Sequence, residues 1–414
     1  MPDAGGPGMA EGRPKPGEPL PPTIRALGWT SFLTDVSSEA IYPLLPAFLL
    51  RELGGSALSV GLVDGVANCV AAIVRLPSGA ASDWLGRRPL VLFGYGISAV
   101  IRPLMGLVAS PLGALLVRAG DRFGKGIRSA PRDALVADLV EPGIRGRAFG
   151  HIRAMDHAGA AFGPLLAMLF LLLFPGRERT LFLLAILPGL VTLVVIWRYV
   201  RDAPARTPVA ARTALAPRLG RRQMTLLAAV AIWAVGASSE QFLLLRAAEL
   251  GVPAALVPLV WLCMSLAKSG SATYAGRLAD RWHPRAALAT GWLAFAVAYA
   301  GLAVSSQLAA ALPLLLLVGV AYGIAEPAER ALVARLAPEG RHGSAFGWYA
   351  LVQGIMALPA GLLAGGLWQQ GPQGPAWALA ATALLSTLAC GLLVACGREE
   401  ARSPGITVRR GGAA

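Results

Sequence analysis

Seven ionisable side chains, Arg118, Asp121, Arg122, Lys125, Arg128, Arg132 and Asp133, crowd the stretch LGALLVRAGDRFGKGIRSAPRDALVADL. Wound as a helix, they fall within an arc of about 140°. Five cations against two anions on one face can bind an anionic group, lock neighbouring helices through ion pairs, or do both. Asp35 and Glu39 stand four residues apart and share a helix face, which makes them natural partners for the stripe. Glu240 lies in a similar setting later in the chain. Burial and nearby arginines act in opposite directions on a carboxylate, so such groups can exchange protons or remain permanently ion-paired. Asp35, Glu39, Glu240 and Asp156 are therefore the candidates for proton coupling. Asp64 and Asn68, with Arg75, share a second polar face, while Glu326, Glu329 and Arg330 form a cluster. Lys268 stands alone in an apolar run and is expected to pair with an acid from another helix. His151, Arg153 and His157 flank Asp156, where a histidine serves either as a relay or as a structural hydrogen-bonding group. These polar groups, from Asp64 to Arg330, are the candidates for lining a substrate cavity.

The surroundings of these charges decide their meaning. The chain has 414 residues, 55% hydrophobic and only 14% charged, against about a quarter charged in soluble proteins. Apolar runs of roughly 17 to 25 residues recur, the length needed to cross a bilayer, and in lipid each must be a helix. The expected spans are 26–50, 57–78, 89–109, 111–139, 148–174, 180–200, 223–249, 254–275, 285–304, 308–336, 344–368 and 374–396. An all-α membrane protein with twelve transmembrane helices follows. Its expected parts are a disordered cytoplasmic leader (1–22), a six-helix bundle (23–200), a basic cytoplasmic linker (201–222), a second bundle (223–397) and a cytoplasmic tail (398–414). The net charge of +14 would suggest nucleic acid in a soluble chain. Here the arginines gather in short connections, six of them in RDAPARTPVAARTALAPRLGRRQ, so the surplus reads as topology. The basic fourth span fails a hydropathy test, but without it the arginine-rich loops would not share one side. Cys69, Cys263, Cys390 and Cys396 show no metal-like spacing and are expected as free thiols. No metal or cofactor is expected.

An internal repeat supports two related halves. Ser37-Ser38-Glu39 recurs as Ser238-Ser239-Glu240, and GAASDWLGRR at 79–88 recurs as GRLADRWHPR at 276–285. APRDALVADL at 130–139 resembles AERALVARL at 328–336, and Arg147-Ala148-Phe149-Gly150 is echoed by Ser344-Ala345-Phe346-Gly347. One shift of about 197 to 201 residues orders all four pairs. Repeated bundles with a site between them are the design of a rocking transporter.

Two glycine-bearing segments look conformational. In GAASDWLGRR, Gly79 is expected to permit close helix approach, Asp83 to cap the helix that follows, and Arg87 and Arg88 to stay in the cytoplasm. In GAAFGPLLA, Gly159, Gly163 and Pro164 give a thin, kinkable face, suited to repacking or to ordinary tight packing.

From about Ile24 to Cys396 the chain resembles the major facilitator superfamily. GAASDWLGRR looks like that family's loop between the second and third helices, G-x-x-x-D-x-x-G-R-[RK], at Gly79, Asp83, Gly86, Arg87 and Arg88. The second copy keeps Gly276, Asp280 and Arg285 but has His283 and Pro284. Arg118, Gly124 and Gly126 loosely resemble a fourth-helix motif. GAAFGPLLA is similar to the antiporter motif G-x-x-x-G-P-x-x-G-G, with Ala167 and Met168 replacing its last glycines. The resemblance implies alternating access by two rocking bundles, driven by protons or by exchange, without a cofactor.

The expected function is secondary active transport of a small anionic or amphipathic organic solute in a bacterial inner membrane, with protons as the coupling ion. Both termini are expected in the cytoplasm, and the protein is expected to be a monomer without nucleic-acid partners. Efflux of neutral or cationic drug-like compounds is the rival within transport, and a non-transporting receptor or scaffold is the rival outside it. An enzyme is not expected, since no nucleophile–base pair, nucleotide loop or metal spacing occurs.

Overall fold

Without water to satisfy backbone groups, an apolar run must close its own hydrogen bonds, and helices do this. The computed structural model describes residues 20–140, 144–202, 220–237, 239–279, 284–337 and 342–402. Among them every regular element is a helix. The first half holds α1 (Pro22–Glu39), α2 (Leu45–Arg51), α3 (Ala57–Leu85), α4 (Arg87–Ile101), α5 (Pro111–Leu139), α6 (Arg145–Leu173), α7 (Glu178–Leu184) and α8 (Ile186–Tyr199). The second holds α9 (Arg221–Gly236), α10 (Gln241–Glu249), α11 (Val257–Ala279), α12 (Pro284–Val304), α13 (Leu308–Leu336), α14 (His342–Trp368) and α15 (Gly374–Arg402). Three pairs, α1 with α2, α7 with α8 and α9 with α10, each make one interrupted pass, so twelve passes result.

The interruptions correct the expectation of continuous first, sixth and seventh spans. Between α1 and α2 the chain tightens into a 3-10 turn at Tyr42–Leu44, where Pro43 and Pro46 cannot donate to a helix ladder. Among the described residues, ten passes are long and apolar enough to cross a membrane by length and composition; the first and fourth are not among them. Sequence reading flagged only the fourth. The first also falls short, because its α1 is 18 residues long and carries Arg25, Asp35 and Glu39.

Within the first half α1 packs on α6 and α8, α3 on α5, and α4 on α5 and α8. Within the second, α12 packs on α13 and α15, and α11 on α13. The halves meet where α3 lies along α14, α6 along α11 and α2 against α10. Gly54 and Gly251, at equivalent places in the repeat, turn the chain after α2 and after α10 with φ of 65° and 100°, a region only glycine enters freely. Most of the expected leader, linker and tail lies outside the described residues, as do Ser238 and Asp280. Gly276 falls within α11.

Candidate functional site

A cavity of about 340 Å³ lies between the halves, lined by Glu39, Tyr42, Asp64, Asn68, Arg122, Lys125, Ser239, Glu240, Trp261, Lys268 and Tyr322. Helix breaks deliver several of these groups. Glu39 ends α1, Tyr42 occupies the 3-10 turn, and Ser239 and Glu240 lie in the gap between α9 and α10.

The basic stripe of α5 divides by partner. Arg118 is buried, 3.6 Å from Asp64 and 3.7 Å from Asp121, with its guanidinium 4.9 Å from the centre of the Tyr42 ring. Asp121 also takes a 2.8 Å ion pair from Arg102, which donates as well to the Thr34 carbonyl at 3.1 Å. Arg128 donates to Ser98 Oγ at 2.6 Å and lies over Tyr95. Arg132 donates to Ser31 Oγ at 3.1 Å and to Asp133, which Arg75 also approaches at 3.5 Å. Arg122 and Lys125 differ: they face the cavity, and neither has an acid within ion-pair distance among the described residues. The Arg122 Nε is buried without a hydrogen-bond partner.

The cavity acids are unequal too. Asp64 accepts from Ser239 Oγ at 2.7 Å, across the two halves, and from Asn68 at 3.1 Å. Glu39 accepts the Trp261 indole N–H at 2.8 Å, again across the halves. Glu240 lines the cavity with no described ion-pair partner for its carboxylate. Asp35 lies on the seam between α1 and α6, within electrostatic reach of Asp156, Glu39 and Lys125. Asp156 pairs with Arg153 at 3.7 Å, and His157 Nδ1 meets Ser269 Oγ of α11 at 3.3 Å.

A second cavity of about 300 Å³ adjoins the first, sharing Ala237, Lys268, Tyr322 and Ala357 with it. Lys268 stands 3.8 Å from Glu326 and over the Tyr322 ring, and Arg330 donates to Glu326 at 2.9 Å. Glu329 is separate from that pair. It is buried and takes hydrogen bonds from Trp292, Tyr349 and Gln353.

The glycine-bearing segments need two corrections. Asp83 does not cap the next helix; it pairs with Arg87 at 2.5 Å, and Arg87 reaches on to Ser82 and to Asp138 at 3.3 Å. The acid at the start of α4 is Asp202, which accepts the Arg88 backbone N–H at 3.3 Å. Nor does Gly79 mark a close approach, since an added Cβ would sit 3.5 Å from Ala130 Cβ, an ordinary contact. Gly86, at φ 86°, is the residue whose conformation requires glycine. By contrast, a Cβ on Gly159 would come 2.5 Å from the Phe32 carbonyl oxygen, and one on Gly163 would come 2.8 Å from that of Val36. Pro164 is inside α6, and Arg285 near the start of α12.

Sequence reading missed Arg102, Tyr42, Trp261, Trp292, Tyr349 and Gln353. Only Arg102 carried a signal, as a cation inside an apolar run. The others are ordinary residues until the fold brings an acid to them.

A family model described as Major Facilitator Superfamily matches residues 27–361 and, in a second match, 242–410. An uncharacterised MFS-type transporter of Methanocaldococcus jannaschii is 31% identical over 363 residues, covering 86% of this chain and 90% of its own. The multidrug resistance protein MdtH of Cronobacter sakazakii is 32% identical over 126 residues, 30% of this chain and 31% of its own. Among solved structures, a bacterial homolog of the human lysosomal transporter Spinster, inward-facing and unoccupied, superposes with a TM-score of 0.77 at 16% identity, covering 94% of this chain and 100% of that one.

Proposed function

The chain belongs to the Major Facilitator Superfamily, and from that premise we propose that it carries a small organic anion across the cytoplasmic membrane of a bacterial-type cell, coupled to protons. One observation carries the choice of substrate: Arg122 and Lys125 face the central cavity with no acid within ion-pair distance among the described residues, while Arg118, Arg128 and Arg132 of the same helix are engaged. Two cations that no acid contacts directly, in a low-dielectric cavity, can take an anionic group as their direct partner. Opposite them, Glu240 enters from the other half as an acid without a described ion-pair partner. It is suited to exchange a proton with the open cavity, with Glu39 and Asp35 behind it. The arginine-rich loops then belong in the cytoplasm by the positive-inside rule. Each positive charge moved inward at 100 mV supplies about 2.3 kcal/mol.

Purified protein in proteoliposomes, offered a panel of radiolabelled mono- and dicarboxylates and phosphate esters, tests this reading. The wild type is expected to accumulate at least one anion under an imposed pH gradient. Arg122→Ala and Lys125→Ala are each expected to lower that uptake at least tenfold. Glu240→Gln is expected to retain anion exchange while losing accumulation driven by the gradient. Uptake of neutral or cationic dyes that survives both cation substitutions, with no anion flux, would replace this reading with drug efflux.

A further inference from the structure

Glu329 is 1% exposed in the middle of the second half, and all three of its hydrogen-bond donors are neutral. The Trp292 indole N–H of α12 donates to Oε1 at 3.1 Å. The Tyr349 hydroxyl and the Gln353 amide, one turn apart on α14, donate to Oε2 at 2.5 and 3.1 Å. No described cation lies within ion-pair distance of it. Its charged neighbours are Glu326 and Arg330 on its own helix, which are paired with each other; Lys268 on α11 lines the same cavity and is turned to Glu326. Among the described residues, Tyr322 and Tyr349 are the further titratable groups that interact with it. Trp233 of α9 adds an aromatic wall, stacked on Trp292 at 5.7 Å. Glu329, Tyr349 and Gln353 line the second cavity, which sets the cluster at its wall.

The repeat sharpens the point. Laying ALVADL at 134–139 over ALVARL at 331–336 places Glu329 on Arg132 and Trp292 on Tyr95. At equivalent positions the first half therefore keeps a group that is always charged, and the second keeps one that can become neutral.

We propose that Glu329 is a proton-binding site, distinct from the acids of the central cavity, and that α14 senses its occupancy through Tyr349 and Gln353. On binding, a carboxylate oxygen takes a proton from cavity water and forms an O–H bond; on release that bond breaks and the proton returns to water. An ionised carboxylate accepts from all three donors. A protonated one must itself donate, and Tyr349 and Gln353 are the bonded neighbours that can turn to present an oxygen to it. Gln353 adjoins Gly354 on α14, where an added Cβ would collide with Ala72 of α3. A rearrangement at Gln353 is thereby transmitted to the contact between the two halves. The site rests on the transport reading only for its purpose, since proton binding is measurable without any solute.

Infrared difference spectra of the purified full-length protein in lipid, between mildly acidic and mildly alkaline buffer, give the test. A protonated-carboxyl stretch is expected in the wild type, lost in Glu329→Gln and shifted in frequency in Tyr349→Phe, where one partner is removed. Identical spectra for the wild type and a folded Glu329→Gln would overturn the proposal. If Glu329→Gln fails to fold, an unshifted band in folded Tyr349→Phe overturns it instead. Loss of anion transport with this band intact would count against the substrate reading and leave the proton site standing.

Discussion

Arg118 and Arg122 stand one turn apart on α5, yet they predict opposite phenotypes. Arg118 holds Asp64 and Asp121, both buried, and covers the Tyr42 ring. Removing one member of a buried charge cluster strands the others, which costs about 3–5 kcal/mol. Arg118→Ala is therefore expected to lower the thermal midpoint in a scanning fluorimetry assay and to reduce the yield of folded protein. Arg122→Ala removes no ion pair and is expected to lower the midpoint far less than Arg118→Ala does, since it strands no buried partner. Sequence periodicity found the stripe but could not divide it. The division depends on Arg102, Asp64 and Ser98, which reach α5 from the second and third passes.

At the level of helices, the seam between α3 and α14 is closest at Gly61 and Gly361, where a Cβ on either would collide with the other's backbone. Gly65 and Gly365 continue it, meeting the Ala357 and Ala57 carbonyl oxygens at 2.8 Å each if given a Cβ. Filling such a contact costs about 1–3 kcal/mol. Gly61→Val is expected to weaken this arrangement of the halves and raise the reactivity of a cysteine placed at Ser56, read by maleimide labelling. Most spans were legible in the sequence, because apolar length and arginine sidedness are properties of single segments. The helix breaks at 40–44 and 237–240 were not. Pro43 marks the first, but the second has no proline, and the polar run through Ser239 and Glu240 resembles any cavity-facing stretch. The expectation at Gly79 failed for a related reason: a glycine reports a close neighbour only after the neighbour is known. The acid pairs differed again, since charge in an apolar run announces that a partner exists without saying which.

Among the described residues, hydrogen bonds tie the two halves together at one end of the molecule. Gln369 donates to Ser56 at 2.6 Å across the halves, α2 packs on α10, and the described cross-half hydrogen bonds run from there only to mid-depth, at Asp64–Ser239, Glu39–Trp261 and His157–Ser269. Cysteines introduced at Ser56 and Gln369, in a background lacking Cys69, Cys263, Cys390 and Cys396, are expected to join on oxidation. The joined protein should lose flux almost completely and recover it with reductant; undiminished flux in the joined form would mean that this end need not open. The polarity of α5 has a consequence for how the chain is made. Asp64 and Arg102, which neutralise Arg118 and Asp121 respectively, both precede α5 in the chain and emerge first from the ribosome. The counter-charges of the fourth pass are thus already made when it emerges, and the order of synthesis favours the entry of so charged a helix into lipid.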